Sequence, residues 1–214
     1  MSRMLREQSL VTRIVWGLLV ISAAAALIEG RFSLTFVSLA TLGLSMVPVY
    51  VARWAEIVVP PSFLAAVVLF VGGTVFLGEV FDFYNRFWWW DIAMHGGSAV
   101  GFGLIGFVLV FMMFQGDRFA APPSAIAFFA FCFALAIGAM WEVFEFTMDQ
   151  LFGLNMQKSG LMDTMGDLIV DMGGALLGAL AGYFYLREQA FGGLTGVIEY
   201  FVSRNPRFFR KRRK

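Results

Sequence analysis

Charge is scarce in this chain, and so are the residues that usually build reactive sites in water-soluble proteins. Only 14% of its 214 residues are Asp, Glu, Lys or Arg, against about 25% in an ordinary soluble domain. There is one cysteine, Cys132, and one histidine, His95. A lone cysteine inside an apolar run excludes an internal disulfide. A single histidine excludes the Cys/His clusters of zinc fingers. No CxxC pair and no Gly-rich phosphate loop occurs. Hydrophobic residues fill the space instead, at 59% of the chain. A soluble fold can bury one long apolar stretch, but not six in succession.

A membrane-spanning helix needs about 20 mostly apolar residues. Six segments meet that length: Val11 to Ile28, Phe32 to Val51, Ile57 to Leu77, Ala93 to Phe114, Ser124 to Phe152 and Met165 to Leu186. Polar breaks separate them, at 29–31, 53–56, 78–90, 115–123 and 153–164. No alternating barrel pattern is present, and backbone groups in lipid must pair internally, so strands are not expected. The expected fold is all-α, a polytopic transmembrane helical bundle of about six spanning helices. Residues 1–190 form its single membrane domain. Residues 191–214 follow as an amphipathic segment and basic tail, with an interfacial helix over Phe191 to Val202. The first segment has a basic start and a small-residue run, Ser22 to Ala26, as a cleaved signal peptide would. Leu27 and Ile28 prolong the apolar stretch, which favours a retained helix.

Orientation follows from the basic residues. With both termini in the cytoplasm, thirteen of the 16 Lys and Arg lie inside, and only Arg31, Arg86 and Lys158 outside. The opposite orientation puts thirteen outside and is rejected. The expected location is the bacterial cytoplasmic (inner) membrane, crossed several times. Of the 15 acids, ten gather on the outer side: Glu29, Glu79, Asp82, Asp91, Glu142, Glu145, Asp149, Asp163, Asp167 and Asp171. His95 is there too. Acids have little influence on topology, so the rule does not account for this gathering.

Three helix ends carry these residues as stripes. Asp91 and His95 are four apart, hence on one helix face. Glu142, Glu145 and Asp149 are spaced three and four. Asp163, Asp167 and Asp171 repeat every four residues, which places Asp171 about 12 Å along the helix from Asp163. Charges at membrane depth cost at least a few kcal/mol each unless paired. Carboxylates sharing an apolar site need either protons or a cation. Carboxylates with one imidazole suit Zn²⁺, Mn²⁺ or Fe²⁺, and an oxygen-only subset suits Mg²⁺ or Ca²⁺. His95, Glu142, Glu145, Asp167 and Asp171 are the expected metal ligands. Asp91 is the expected catalytic group, orienting His95 or acting as general base. Plainer roles compete: Asp163 or Asp91 as a helix-start acid, Asp82 and Asp149 as solvated loop residues, and the remainder as a hydrogen-bond network between helices. Three helices with one kind of stripe at one depth favour a cation or proton site.

Gly174, Gly178 and Gly182, and likewise Gly97 and Gly101, repeat at four-residue spacing, as close helix packing in lipid requires. Trp88 to Trp90 with Phe81, Phe83, Tyr84 and Phe87 read as an interfacial aromatic belt. The tail RNPRFFRKRRK reads as an anchor to anionic lipid, with Phe208 and Phe209 inserting, rather than a nucleic-acid site.

Three stretches, GEVFDFYNRFWWWDIAMH (78–95), GAMWEVFEFTMDQLFGLNMQ (138–157) and GLMDTMGDLIVDMGGA (160–175), resemble the YjdF-like family of uncharacterised bacterial integral membrane proteins. The resemblance covers about 60–181 and implies a membrane protein without implying an activity. A fainter one is to VanZ-like membrane proteins, linked with glycopeptide-antibiotic resistance. Asp91 with His95, Glu142, and Asp167 with Gly174 match their pattern. Glu145 stands where that pattern has glutamine, and Asp171 where it has asparagine.

The functional expectation is a metal-dependent enzyme at the outer leaflet, acting on a phospholipid or polyprenyl phosphate with a divalent cation such as Zn²⁺, Mn²⁺ or Mg²⁺. The alternatives are a proton- or cation-coupled carrier, which needs a continuous polar path, and a non-catalytic membrane factor stabilised by the cluster. The oligomeric state is not legible.

Overall fold

The computed structural model describes residues 8–114 and 121–209. The protein is all-α: 84% is helical, and among the described residues there are no strands and six helices long and apolar enough to cross a membrane. Those six are α1 (Leu10–Ile28), α2 (Phe32–Trp54), α3 (Pro61–Val71, continued by a π-helical Gly72–Val80), α5 (Trp90–Phe114), α6 (Pro123–Phe152) and α7 (Leu161–Leu186). The short α4 (Phe83–Arg86) precedes α5, and α8 (Gly192–Arg204) and α9 (Pro206–Phe209) follow α7. The expected basic residues Arg3, Arg6 and Arg118, the acids Glu7 and Asp117, and the tail residues 210–214 lie outside the described residues.

The ends of these helices differ from the sequence expectation in ways with local causes. α3 begins at Pro61 rather than Ile57, because Pro60 holds its predecessor extended and Pro61 suits a first helical position. α2 runs through Arg53 to Trp54, which puts that arginine in the last turn, where a cation faces the negative helix end. α5 starts three residues early, at Trp90, and α7 four residues early, at Leu161, so that Asp91 and Asp163 lie inside their helices. Neither is therefore a flanking N-cap; both are first-turn acids facing the positive helix end.

The chain divides into two compact units, Met1–Trp90 and Asp91–Lys214. In the first, Trp16 of α1, Val49 of α2 and Leu64 and Val68 of α3 form the core, with Val15, Leu42, Met46 and Val59 packed around it. Polar contacts in it are internal. The Trp16 indole donates to Ser45 at 2.9 Å. Ser38, Thr41 and Ser45 return their hydroxyl protons to the α2 carbonyls of Leu34, Val37 and Leu42 at 2.8 Å. A hydroxyl within an apolar phase needs such a partner. The ring of Phe83 meets those of Phe87 and Trp90 edge to face, beside an exposed Trp88.

In the second unit small residues set the helix spacing. A Cβ on Gly178 would meet the Val100 carbonyl at 2.7 Å and the Gly103 Cα at 2.8 Å, so the backbones of α5 and α7 touch there. Gly174 lies against Gly96 and Ala99, and Gly182 against the ring of Phe107. The α7 stripe thus packs as its spacing predicts. On α5 the partners are Gly96, Ala99 and Gly103, whereas a Cβ on Gly97 would enter open space. α8 is amphipathic. Ile198 is buried, while Gly196, Glu199 and Ser203 face outward. Phe209 of α9 stacks on Phe111 of α5 at 5.4 Å, so that ring packs on protein.

Candidate functional site

The polarity of α6 and α7 is inverted relative to a helix in water. Over residues 141–147, Glu142 and Glu145 are buried, while Trp141, Val143, Phe144 and Phe146 are exposed. On α7, Asp167 and Asp171 are buried, and Leu161, Met162, Met165 and Ile169 are exposed. An apolar surface that faces outward while carboxylates face inward is what lipid selects.

His95, on α5, lies at the centre of the inward groups. Its Nδ1 lies 3.4 Å from Asp171 Oδ1. Its Nε2 lies 3.9 Å from Asp91 Oδ1 and 3.9 Å from Asp167 Oδ2. The imidazole therefore meets a carboxylate at each nitrogen. Asp91, His95 and Asp167 each offer one ligand atom within 4.8 Å of the others. Donors around one tetrahedral Zn²⁺ stand about 3.4 Å apart, and donors on opposite sides of a Ca²⁺ up to about 5.2 Å. Asp171 is 2% exposed. It sits against Gly138 of α6, where any Cβ would collide with the carboxylate.

Glu142 differs from the others. It is 4% exposed, and both its carboxylate oxygens are buried without a hydrogen-bond partner. It interacts electrostatically with His95, Asp171 and Asp167, so it lies near the same cluster. The Thr164 hydroxyl stands near it without hydrogen-bond geometry, and accepts instead from the Gln157 side-chain amide at 2.6 Å. Leaving a buried acceptor unmade costs about 1–3 kcal/mol, and more for a charged group. Glu145 is better served, since the Trp141 indole one turn earlier donates to it at 2.9 Å.

The site thus brings Asp91, His95 and Asp167 together, sets Asp171 at the other ring nitrogen, and leaves Glu142 buried near them without a hydrogen-bond partner. Glu145 stands one turn away, held by Trp141. Sequence reasoning missed three supports. Gly138 seats Asp171, with no signal beyond a small residue four before Glu142. Trp141 precedes Glu145 by four residues, which was legible. Asp149 is no solvated loop residue: its carboxylate accepts the backbone N–H groups of Met156 at 2.7 Å and Gln157 at 2.9 Å.

A multi-pass membrane protein with an inward-facing carboxylate and histidine cluster is the class these observations define. The chain belongs to the family described as Predicted membrane protein (DUF2238), whose model matches residues 10–188. YjdF-like proteins are members of it. A Thermotoga maritima protein, described as an uncharacterized protein, is 30% identical over 112 residues, which are 49% of this chain and 55% of that one. The chain thus spans about half the length of the curated relative it matches. No solved structure matches.

Proposed function

We propose that the cluster holds a divalent cation and that the protein is a metal-dependent hydrolase of the outer leaflet of the bacterial inner membrane. Its substrate would be a membrane-borne phosphate ester, on a phospholipid or polyprenyl chain. The observation that carries this reading is Glu142, a buried carboxylate without a partner near a histidine already flanked by three aspartates. The donor set fits a borderline metal such as Zn²⁺ or Mn²⁺.

In this reading Asp91, His95 through Nε2, and Asp167 would hold the cation, and Glu142 would supply a further donor. Asp171 accepts the Nδ1 proton of His95, which fixes the ring and turns Nε2 inward, as carboxylates behind ligating histidines do. A bound cation would polarise a phosphoryl oxygen or activate water. Asp91 is 25% exposed, the most open of the group. Its Oδ2 is placed to take a proton from an entering water. Glu145, fixed by Trp141, keeps a second negative charge one turn away. Charge supports a cation as well. Asp91, Glu142, Glu145, Asp163, Asp167 and Asp171 are six carboxylates, against which His95 and Lys158 supply at most two positive charges.

The carrier reading lacks a path: below Asp171, α7 continues from Met172 to Leu186 without an ionisable group other than two tyrosines. The test is phosphate release from phospholipid or polyprenyl phosphate in mixed micelles, with Mn²⁺, Zn²⁺ or Mg²⁺ supplied in turn. Release should need metal and be lost in Asp91→Asn. Proton-coupled flux in liposomes without release would move the assignment to the carrier.

A further inference from the structure

The segment between α6 and α7, residues 153–160, is fastened beside this cluster. It leaves α6 at Gly153 with φ 66° and enters α7 at Gly160 with φ 63°. Both angles are left-handed, and a side chain is strained there. A Cβ at either glycine would meet nothing within 4 Å, so neither is pinned by packing. Between these pivots the segment is tied down at four points. Asp149 accepts the backbone N–H groups of Met156 and Gln157. Gln157 donates to Thr164, and the Lys158 backbone N–H donates to Asp163 at 3.1 Å. The fourth tie reaches the cluster itself: Lys158 Nζ lies 3.5 Å from Asp91 Oδ2.

That last contact engages the carboxylate whose other oxygen faces His95 Nε2. We infer that residues 153–160 are a cation-responsive strap, in which Lys158 is a tethered positive charge that a metal ion must displace from Asp91. This inference rests on the metal reading above. A metal at His95 Nε2 and Asp91 Oδ1 brings two positive charges close to the Lys158 ammonium. At a few ångströms like charges repel, and the carboxylate that held the lysine is shared with the stronger cation. Lys158 then leaves and the strap loosens on Gly153 and Gly160. Asp91 Oδ2, the oxygen proposed to take a proton, is freed by the same event. The displaced ammonium stays beside the cluster on its segment, available to an anionic headgroup.

The test uses full-length protein in detergent with Cys132→Ser, titrated with Mn²⁺ by calorimetry. Lys158→Gln should bind Mn²⁺ roughly three-fold tighter than wild type, the size an ion pair of this exposure permits. Lys158→Arg, which keeps the charge, should bind like wild type. Strap motion is read by adding Met156→Cys, a half-buried position whose backbone N–H is held by Asp149, and following maleimide labelling. Mn²⁺ should speed labelling in the wild-type background. In Lys158→Gln labelling should be fast already and indifferent to Mn²⁺. Equal or weaker Mn²⁺ binding by Lys158→Gln, or labelling that slows with Mn²⁺, overturns the strap and leaves the metal reading standing. If neither protein binds Mn²⁺, Zn²⁺ or Mg²⁺, the metal reading fails and the strap falls with it.

Discussion

Glu142 is buried with both oxygens unsatisfied, and an uncompensated polar group at that depth is costly unless a ligand returns the loss. Glu142→Gln should therefore weaken Mn²⁺ or Zn²⁺ binding by at least about ten-fold, as loss of one charged ligand does, and leave thermal stability unchanged or raised. A Tm that falls steeply with metal binding intact would assign Glu142 to packing. Gly138 bears on the site through Asp171. A methyl there displaces the carboxylate that orients His95, and second-layer changes of that kind cost about 10–100-fold in metal affinity. Gly138→Ala should show that loss in a metal titration; an affinity equal to wild type would mean that Asp171 does not set the ring. The site residues Asp91, His95, Glu142, Glu145, Asp167 and Asp171 were legible because spacing of three and four puts them on helix faces. Of the supports, Trp141 was legible by the same spacing, and the seat of Asp171 on Gly138 was not. Which backbone atom faces Asp171 depends on how α6 and α7 are rotated against each other, and one sequence does not contain that angle.

At the scale of the helices, packing is carried by small residues where two backbones meet, as expected in a phase that offers no hydrophobic drive between helices. Gly178 and Gly97 have the same local sequence character and opposite surroundings. Gly178→Val would push into the α5 backbone and should cost about 1–3 kcal/mol, typical of overpacking. Gly97→Ala enters open space on an exposed helix face and should be neutral or stabilising by up to about 1 kcal/mol. Thermal unfolding in one detergent checks the pair; equal Tm losses would contradict the α5–α7 contact at Gly103. Helix identity was legible throughout, since apolar length alone decides it. The ends were less so. The starts of α5 and α7 are built from Trp90-Asp91 and Leu161-Met162-Asp163, where a polar residue reads as loop but serves the first turn. The π-helical Gly72–Val80 has no periodic signature distinct from an α-helix.

For the whole molecule, family membership and six membrane-length helices establish a multi-pass membrane protein. Its orientation rests on the thirteen-to-three division of Lys and Arg. In intact cells a membrane-impermeant maleimide should label a cysteine at Asn155 and spare one at Asp117, both in a Cys132→Ser background. The reverse result would place the cluster on the cytoplasmic side and remove the outer leaflet from the account. The basic tail proposed to engage anionic lipid is checked by liposome flotation of a chain ending at residue 209. That chain should retain the membrane fold and lose only its preference for anionic vesicles.

The central claim is that inward-facing carboxylates and His95 hold a cation, and metal content tests it most directly. Protein purified in mild detergent without chelator or metal-affinity resin should carry about one divalent ion per chain, or take one up on titration with Zn²⁺ or Mn²⁺. Asp167→Asn and Glu142→Gln should lose it while remaining folded. Wild-type protein that binds none, with unfolding temperature indifferent to added Zn²⁺, Mn²⁺ and Mg²⁺, would contradict the claim and leave the cluster as a charge network that joins α5, α6 and α7.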